Sequence, residues 1–264
     1  MTTSGQLKPR IMITRPAHQA GKLADDITSV GGISFSFPTL EICRTELSSE
    51  NKQIIQHITE YDIIIFISPN AVEHGLSQIQ AISPMPNTVQ LATIGQGSAK
   101  ALKSKLGKQP DICPEENFNS EGLLATTAMQ NVNDKRILII RGNGGREHLK
   151  QSLEQRGASV DYLSVYQRTK PAIDNSELEQ YLQNNEIAAI VITSAESLKN
   201  LVEMTPNKVK LQLLQVPLLL INKRLTEVAK KAGFENKLIV ATKASDEAIV
   251  ETLKENDLLK SMPQ

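Results

Sequence analysis

Short apolar runs alternate along the chain with segments whose apolar residues recur at helical spacing. The clearest example starts at Arg136–Arg141, a run typical of a strand buried on both faces. Three glycines follow in Gly142–Gly145, and two leucines spaced four residues apart predict a helix over Glu147–Arg156, with Gly157 at its end. A second strand is predicted over Ser159–Leu163. This strand–loop–helix–strand unit lacks the glycine spacing of the dinucleotide-binding fingerprint.

The same alternation continues through the rest of the chain. Further strands are predicted at Ile11–Thr14, Ile33–Phe37, Asp62–Ile67, Val89–Thr93, Asp111–Cys113, Ile187–Thr193, Val216–Ile221 and Leu238–Thr242. Further helices are predicted at Ala17–Val30, from Ser48, from Asn70 to Ile79, at Ser98–Leu106, Ser120–Met129 and Ser176–Gln183, from Ser194, at Asn222–Ala232 and from Ser245. The charged segment Thr39–Glu46 suits an exposed strand or a linker. Alternating strands and helices predict the α/β class, with a parallel sheet covered by helices.

Four pairs of segments match each other at nearly one offset, between 125 and 127 residues. The paired positions are Ser68 and Ser194, Gly107 and Gly233, Ser120 and Ser245, and Thr14 and Arg141. The matches predict an internal duplication that gives two similar α/β lobes with a ligand-binding cleft between them. The alternative is that unrelated strand–helix segments converged on a similar composition.

The predicted junctions between strands and helices carry Ser, Thr, Gly or Asn. They are Thr14–Arg15, Ser68–Asn70, Gly95–Ser98, Gly142–Gly145, Thr193–Ser194, Asn222 and Ala244–Ser245. Backbone N–H groups at a helix start are unpaired, and the positive end of the helix dipole favours anions. The junctions therefore suit an anionic ligand. The alternative is that each polar residue only caps its helix.

Charge and composition exclude several classes of partner. Lysine plus arginine and aspartate plus glutamate both total 29, which gives no net charge and no basic tail for nucleic acid. No apolar run approaches the roughly 20 residues that span a bilayer, and the N-terminus lacks the apolar core of a secretory signal. Cys43 and Cys113 have no ligand-like spacing, which favours a reducing compartment. We expect a soluble, cytoplasmic protein of two domains.

Motifs for metal or cofactor chemistry are absent from the sequence. The four histidines, His18, His57, His74 and His148, are scattered without metal-ligand spacing. There is no phosphate-binding loop and no serine-nucleophile elbow. We therefore expect neither a metal nor a cofactor, so that any catalysis would depend on positioning and electrostatics.

Several short motifs, in their order and spacing, resemble the uroporphyrinogen-III synthase family. They are ITRP at Ile13, FISPNAV at Phe66, ATIGQGSA at Ala92, SEGLL at Ser120, ILIIRGNGGRE at Ile137, RGA at Arg156 and VYQR at Val165. The likeness extends from about Ile11 to Leu253. It implies two similar parallel-sheet α/β lobes, residues 1–38 with 170–264 and residues 46–163. A two-stranded linker, residues 39–45 and 164–169, would join the lobes, with the active-site cleft between them.

The resemblance also implies a reaction. The family cyclises hydroxymethylbilane to uroporphyrinogen III with inversion of the terminal pyrrole ring and loss of water, a lyase step of tetrapyrrole and heme biosynthesis. It needs no cofactor and no metal. The substrate is a linear tetrapyrrole with eight carboxylates, which suits a site lined by helix N-termini. We expect a monomer, with at most a transient contact with the enzyme that produces the bilane.

By the same resemblance, Tyr166 matches the active-site tyrosine that assists departure of the hydroxyl. Ser68, Ser194 and Asn222 match cleft positions that present donors to the acetate and propionate groups. Arg15, Arg141 and Arg146 would add charge-assisted contacts. Together with the junction residues, the predicted substrate-binding set is Thr14, Arg15, Ser68, Pro69, Asn70, Gly95, Ser98, Arg141, Gly142, Gly144, Arg146, Thr193, Ser194, Asn222 and Ser245.

Two other functions remain open from the sequence. One is a non-catalytic bilobed binding or regulatory module for an anionic small molecule, which the same helix N-termini would serve. Tyr166→Phe discriminates, because it would slow a synthase substantially but cost a binder little affinity. The other is a nucleotide-using transferase, suggested by the glycine-rich segment Arg141–Glu147 alone, which predicts stabilisation by nucleotide.

Overall fold

The computed structural model describes residues 10–144 and 147–260. Within these residues the chain forms two compact units. The first unit comprises residues 10–41 with 169–260, and the second comprises residues 42–144 with 147–168.

Strands and helices alternate as the apolar pattern predicts. The strands are β1 (Arg10–Ile13), β2 (Ile33–Ser36), β3 (Glu41–Arg44), β4 (Ile63–Phe66), β5 (Gln90–Thr93), β6 (Arg136–Gly142), β7 (Ser159–Thr169), β8 (Ile187–Ile192), β9 (Leu218–Leu220) and β10 (Leu238–Val240). The helices are α1 (Ala17–Ser29), α2 (Ser49–Gln56), α3 (Pro69–Gln80), α4 (Gln96–Leu106), α5 (Ser120–Ala125), α6 (Thr127–Gln130), α7 (His148–Gln155), α8 (Ser176–Gln183), α9 (Ala195–Met204), α10 (Lys210–Gln215), α11 (Arg224–Lys231) and α12 (Asp246–Glu255). Across residues 10–144 and 147–260, no helix is both long enough and apolar enough to cross a membrane.

The first unit contains a five-stranded parallel sheet in the order β10-β9-β8-β1-β2. Its central strand β8 is buried along its whole length. Alternate side chains of β8 enter different cores: Ile190 and Ile192 join one cluster, and Ala189 and Val191 join another. Because successive side chains of a strand point to opposite faces, the sheet is covered on both sides.

The second unit contains a five-stranded sheet in the order β3-β7-β6-β4-β5, in which β4 to β7 pair in parallel. Leu138 and Ile140 of β6 enter one core, and Ile137 and Ile139 enter another. Ile112 adds a single parallel bridge beside β5. This sheet also has an apolar layer on each face. The parallel-sheet α/β class expected from the sequence is therefore confirmed.

Segments that match in sequence occupy matching places in the two sheets. The series β2-β1-β8-β9-β10 of the first unit corresponds to β7-β6-β4-β5 and the bridge at Ile112 in the second. The corresponding strands differ in their order along the chain, because β6 and β7 follow β4 and β5, whereas β1 and β2 precede β8 and β9. Strand β3 of the second sheet has no counterpart in the first.

The structure differs from the expected elements in four main places. The helix expected over Ser120–Met129 is broken at Thr126, whose backbone is extended and whose hydroxyl donates to the carbonyl of Leu123. The strand expected over Asp111–Cys113 is reduced to the bridge at Ile112, since prolines flank the segment on both sides. Helix α10 was not expected, because its six residues are too few to show a helical period.

The fourth difference concerns β7, which continues past Leu163 to Thr169 and includes the expected linker residues 164–169. Val165 and Tyr166 are buried, so this segment joins the sheet. The backbone N–H of Thr45 donates to the carbonyl of Val165 at 3.2 Å. Both expected linker segments therefore contribute strand residues to the sheet that contains β3 and β7.

Candidate active site

Tyr166 lies on β7 in the second unit, and its side chain is 2% exposed. The register of β6 and β7 places it opposite Gly142, just beyond an irregularity between Arg141 and Gly142. Its ring belongs to the same core as Phe66 and Ile140. The tyrosine expected from the family motif is thus a core residue of one unit, at the carboxyl end of its parallel strands.

Gly142 makes room for the Tyr166 ring. A Cβ atom on residue 142 would lie 2.5 Å from Cε2 and 2.7 Å from Cζ of Tyr166. The backbone N–H of Asn143 also donates to the carbonyl of Tyr166 at 2.8 Å. The glycine is therefore required by close packing, a role that its place in a glycine-rich loop did not indicate.

Ser68 meets the phenol from the other side of β6. It follows β4 and caps α3, with its Oγ accepting from the backbone N–H of Ala71 at 3.0 Å. The same Oγ lies 3.1 Å from the Tyr166 Oη. In the sheet, β6 lies between β4 and β7, so the two side chains meet across the end of β6, where Gly142 has no side chain.

Arg141 is held by the loop that follows it. Its guanidinium donates to the carbonyls of Gly142 and Gly144 and to the carboxylate of Glu147, and it lies 4.3 Å above the ring of Tyr162. Arg141 is only 4% exposed. In this structure its charge stabilises the loop, and a contact with substrate stays a prediction.

Tyr162 and Glu147 complete this cluster. The Tyr162 hydroxyl donates to Glu147 at 2.9 Å. This hydrogen bond, together with the pairing to Arg141, lowers the pKa of Glu147. Burial, together with the hydrogen bond to Glu147, raises the pKa of Tyr162 to about 12. No local pattern in the sequence singles out either residue, since the cluster depends on the pairing of β6 with β7.

A cavity of about 230 Å³ lies beside Arg141. It is lined by Ile67, Ile94, Ser120, Ile139, Arg141, Leu149 and Tyr162. This volume is below the roughly 300 Å³ at which small-molecule sites begin, so it admits one substituent of a ligand and not a whole tetrapyrrole. Its apolar walls with one guanidinium suit a carboxylate side chain.

The other candidates of the second unit lie near the same edge. Pro69 and Asn70 form the first turn of α3, and Gly95 caps α4. Ser98 is buried, because α4 begins two residues earlier than expected and places it inside the first turn. Gly144 has a φ of 71°, which favours glycine. Arg146 lies outside the described residues.

Phe118 is a further residue that the sequence did not single out. It is 49% exposed. A Cβ atom on Gly95 would lie 3.2 Å from the Phe118 Cβ, so the loop that carries the ring packs closely on the start of α4.

In the first unit, Thr14 belongs to a buried network of hydroxyls. Its Oγ1 donates to the carbonyl of Val191 at 2.8 Å and accepts from Ser197 Oγ at 2.8 Å. The hydroxyl of Thr39 lies 2.8 Å from the same Ser197 Oγ. The Thr14 side chain is fully buried and satisfied by protein, and neither Thr39 nor Ser197 was expected to take part.

The remaining first-unit candidates lie at helix starts. Arg15 pairs with Asp246 in the first turn of α12, which Ser245 caps. Ser194 caps α9 and accepts from the backbone N–H of Ser197 at 3.0 Å. Thr193 precedes that cap, and Asn222 is exposed ahead of α11. The capping alternative is therefore observed for Ser68, Ser194 and Ser245, and binding of substrate by these residues stays a prediction.

Among the residues that the structure describes, no cluster of three His, Cys, Asp or Glu side chains has the arrangement of a metal site. On one face of this sheet Tyr166 lies with the Ser68 hydroxyl and the His74 ring, whose centroid is 5.8 Å from that of Tyr166. The Arg141 guanidinium lies with Tyr162 and Glu147 on the other face, beside Ile139. Such groups donate hydrogen bonds and stabilise negative charge.

Comparison with known proteins gives one consistent family. The family model described as Uroporphyrinogen-III synthase HemD matches residues 21–251. The uroporphyrinogen-III synthase of Escherichia coli (strain K12) is 30% identical over 246 residues, which cover 92% of this chain and 99% of that protein. The enzyme of Salmonella typhimurium is 32% identical over 247 residues, with the same two shares.

Solved structures show the same fold. The uroporphyrinogen-III synthetase of Helicobacter pylori 26695 has a TM-score of 0.63 at 16% identity, covering 94% of this chain and 99% of that one. A mutant uroporphyrinogen III synthase of the extremely thermophilic bacterium Thermus thermophilus has the same TM-score and identity, covering 94% and 98%. The chain therefore belongs to the uroporphyrinogen-III synthase family, and it is an enzyme, a cyclising lyase of tetrapyrrole biosynthesis.

Proposed function

We propose that the enzyme cyclises hydroxymethylbilane at the carboxyl edge of the second unit's sheet, with Tyr166 as the catalytic residue. The observation that carries this proposal is the contact between Tyr166 Oη and Ser68 Oγ at 3.1 Å. It places a hydroxyl donor in the segment that matches the family motif, at the edge where open α/β sheets bind ligands.

Loss of water from the substrate needs a proton at the departing hydroxyl. The phenol of Tyr166 supplies that proton as the C–O bond of the hydroxymethyl group breaks, and water leaves. The pyrrole nitrogen then releases its own proton, which restores the phenol, and the product of this step is the neutral azafulvene. Closure onto the substituted carbon of the terminal ring, followed by rearrangement, gives the inverted ring with no further gain or loss of atoms.

The enzyme must also exclude the uncatalysed closure, which leaves the terminal ring uninverted. The substrate has eight carboxylates, and by binding several of them the enzyme can fix the conformation of the linear chain. We propose that Arg141 and Ser120, beside the 230 Å³ cavity, receive one of these carboxylates. The donors at the starts of α3 and α4 suit others.

The wider arrangement also stays a proposal. We propose that the two units are lobes derived by duplication, supported by their matching strand order, and that β3 with the end of β7 forms the two-stranded link. An active-site cleft between lobes, a monomeric state and a transient contact with the bilane-producing enzyme are proposed from family resemblance. A cytoplasmic location is also proposed, because the spacing of Cys43 and Cys113 in the sequence does not suggest a disulfide framework. The non-catalytic binding module finds no support in the family match.

A coupled cyclisation assay tests the proposal. Freshly generated hydroxymethylbilane is incubated with the protein, and the products are oxidised and separated into type I and type III uroporphyrins. We expect mainly type III, which heat denaturation of the protein abolishes. Type I alone from folded protein would refute the proposed function.

A further inference from the structure

We infer that Ser68 is a positioning residue that orients the Tyr166 phenol and leaves the phenolic proton free for the substrate. This inference rests on the proposed function. Ser68 Oγ accepts a hydrogen bond from the backbone N–H of Ala71 at 3.0 Å and lies 3.1 Å from Tyr166 Oη. It therefore connects the start of α3 directly to the catalytic group.

Either hydroxyl can donate in this hydrogen bond, and in the inferred arrangement Ser68 is the donor. A serine hydroxyl has one proton and two lone pairs. After accepting from Ala71, the Ser68 oxygen keeps its proton and one lone pair, so its proton can be donated to the Tyr166 oxygen. A hydroxyl that accepts from an amide is polarised and becomes a better donor. With Ser68 as the donor, the phenol keeps its own proton for the leaving hydroxyl, and the negative charge that develops on its oxygen is stabilised.

Packing and hydrogen bonds fix both Ser68 and Tyr166 in place. Gly142 lets the Tyr166 ring pack directly on the backbone of β6. Further along α3, the fully buried Gln78 donates from Nε2 to the carbonyls of Val165 and Thr45, both at 3.0 Å. Helix α3 thus contacts β7 at two adjacent residues, once through the Val165 backbone and once through the Tyr166 phenol. A phenol fixed in this way keeps its orientation without help from substrate.

The first unit shows what the corresponding place does without a tyrosine. The offset of 127 residues matches Tyr166 with Thr39. The Thr39 hydroxyl forms its hydrogen bonds within the protein, with the carbonyl of Thr14 and the hydroxyl of Ser197. In the second unit the same place carries a longer side chain that reaches the capping serine. This difference assigns the chemical role to the second unit.

The test combines kinetics with a double-mutant cycle on the full-length enzyme. The variants are Ser68→Ala, Ser68→Thr, Tyr166→Phe and the Ser68→Ala/Tyr166→Phe pair. The control is Ser48→Ala, because Ser48 caps α2 in the same way, accepting from Asn51 N–H at 3.1 Å, and has no part in the site. The rate of type III formation, its KM and the melting temperature are measured for each.

We expect Ser68→Ala to lower kcat about tenfold with little change in KM, since one hydrogen bond to the phenol is lost. The double variant should be no slower than Tyr166→Phe, and Ser68→Thr should restore most of the rate. Ser48→Ala should lower the melting temperature to a similar degree as Ser68→Ala and leave kcat unchanged.

Three results would overturn the inference. If the losses from Ser68→Ala and Tyr166→Phe multiply in the double variant, Ser68 does not act through Tyr166. If Ser68→Ala raises KM at constant kcat, Ser68 binds substrate directly. If Ser68→Thr is as slow as Ser68→Ala, the hydroxyl is not what matters. These three results apply when the wild-type enzyme forms type III uroporphyrinogen. If the wild-type enzyme forms only type I, the proposed function is refuted as well.

Discussion

The ring of Tyr166 occupies the space that a side chain on residue 142 would fill, with Cε2 of the ring 2.5 Å from where the Cβ would be. Gly142 and Tyr166 are neighbours only because β6 and β7 pair in this register. The position of the Tyr166 ring therefore requires glycine at residue 142, although the sequence placed Gly142 in a polar loop and Tyr166 in a linker.

Gly142→Ala is expected to displace the Tyr166 ring and to lose most type III synthesis. Overpacking at a buried position costs about 1–3 kcal/mol of stability. The free energy of unfolding and the rate are measured together. The control is Gly21→Ala in α1, where an added Cβ meets nothing within 4 Å and should stabilise the helix by about 1 kcal/mol. A Gly142→Ala enzyme with normal rate and stability would contradict the packing described here.

Tyr166→Phe removes the phenolic hydroxyl and keeps the ring. We expect kcat for type III formation to fall by about 100-fold or more, because a proton donor is lost, while stability changes by about 1 kcal/mol.

Tyr61→Phe is the matched control for this change. Tyr61 is also buried in the second unit's core, and its hydroxyl donates to Asp161 at 2.8 Å. It should lose similar stability and keep its rate. Equal rates for both variants would remove Tyr166 from the chemistry.

Acid is expected to weaken the loop after β6. The pKa of Glu147 is lowered, first by the Tyr162 hydroxyl and then by Arg141. A depressed folded-state pKa stabilises the protein above the unfolded value, near about pH 4.3 for glutamate, and this contribution is lost as pH falls through the folded value.

Glu147→Gln tests that prediction. The variant keeps a hydrogen-bonding group but cannot ionise, so the difference in unfolding free energy between wild type and variant should shrink as pH falls below about 4.3. Unfolding by denaturant across the acid range measures it. A difference that does not change with pH would show that the charge of Glu147 contributes nothing.

Thr14→Val is expected to destabilise the first unit by about 1–3 kcal/mol, because the Val191 carbonyl and the Ser197 hydroxyl lose their buried partner. Thr14→Ser, which keeps the hydroxyl, should recover most of that loss. Chemical unfolding of both variants measures it. If Thr14→Val changes only KM, Thr14 serves substrate and not structure.

Sequence patterning predicted the strands and helices well where each is long and periodic. Helix α8 has the expected bounds, Ser176–Gln183, and apart from β3 and the end of β7 the strands of both sheets lie where apolar runs were found. The strand expected over Ser159–Leu163 was too short, because the charged residues near the end of β7 hid the buried Val165 and Tyr166. Local periodicity is the main sequence signal for a strand, and this segment has little of it.

The contacts within the candidate site could not be predicted from the sequence, for a different reason. Ser68 and Tyr166 are 98 residues apart, and they meet only because β4 and β7 both flank β6. Family motifs pointed to both residues, yet no local signal links them. The Thr14–Ser197 hydrogen bond is likewise set by the pairing of β1 with β8.

The most direct test of the whole account is the isomer ratio measured while enzyme concentration is varied at fixed hydroxymethylbilane. Spontaneous closure to type I competes with the enzyme at every concentration. We predict that the type III fraction rises with enzyme until it is nearly complete, and that Tyr166→Phe needs far more protein than Tyr61→Phe to reach the same fraction. A type III fraction that stays at the uncatalysed level at all concentrations of folded protein would contradict the account.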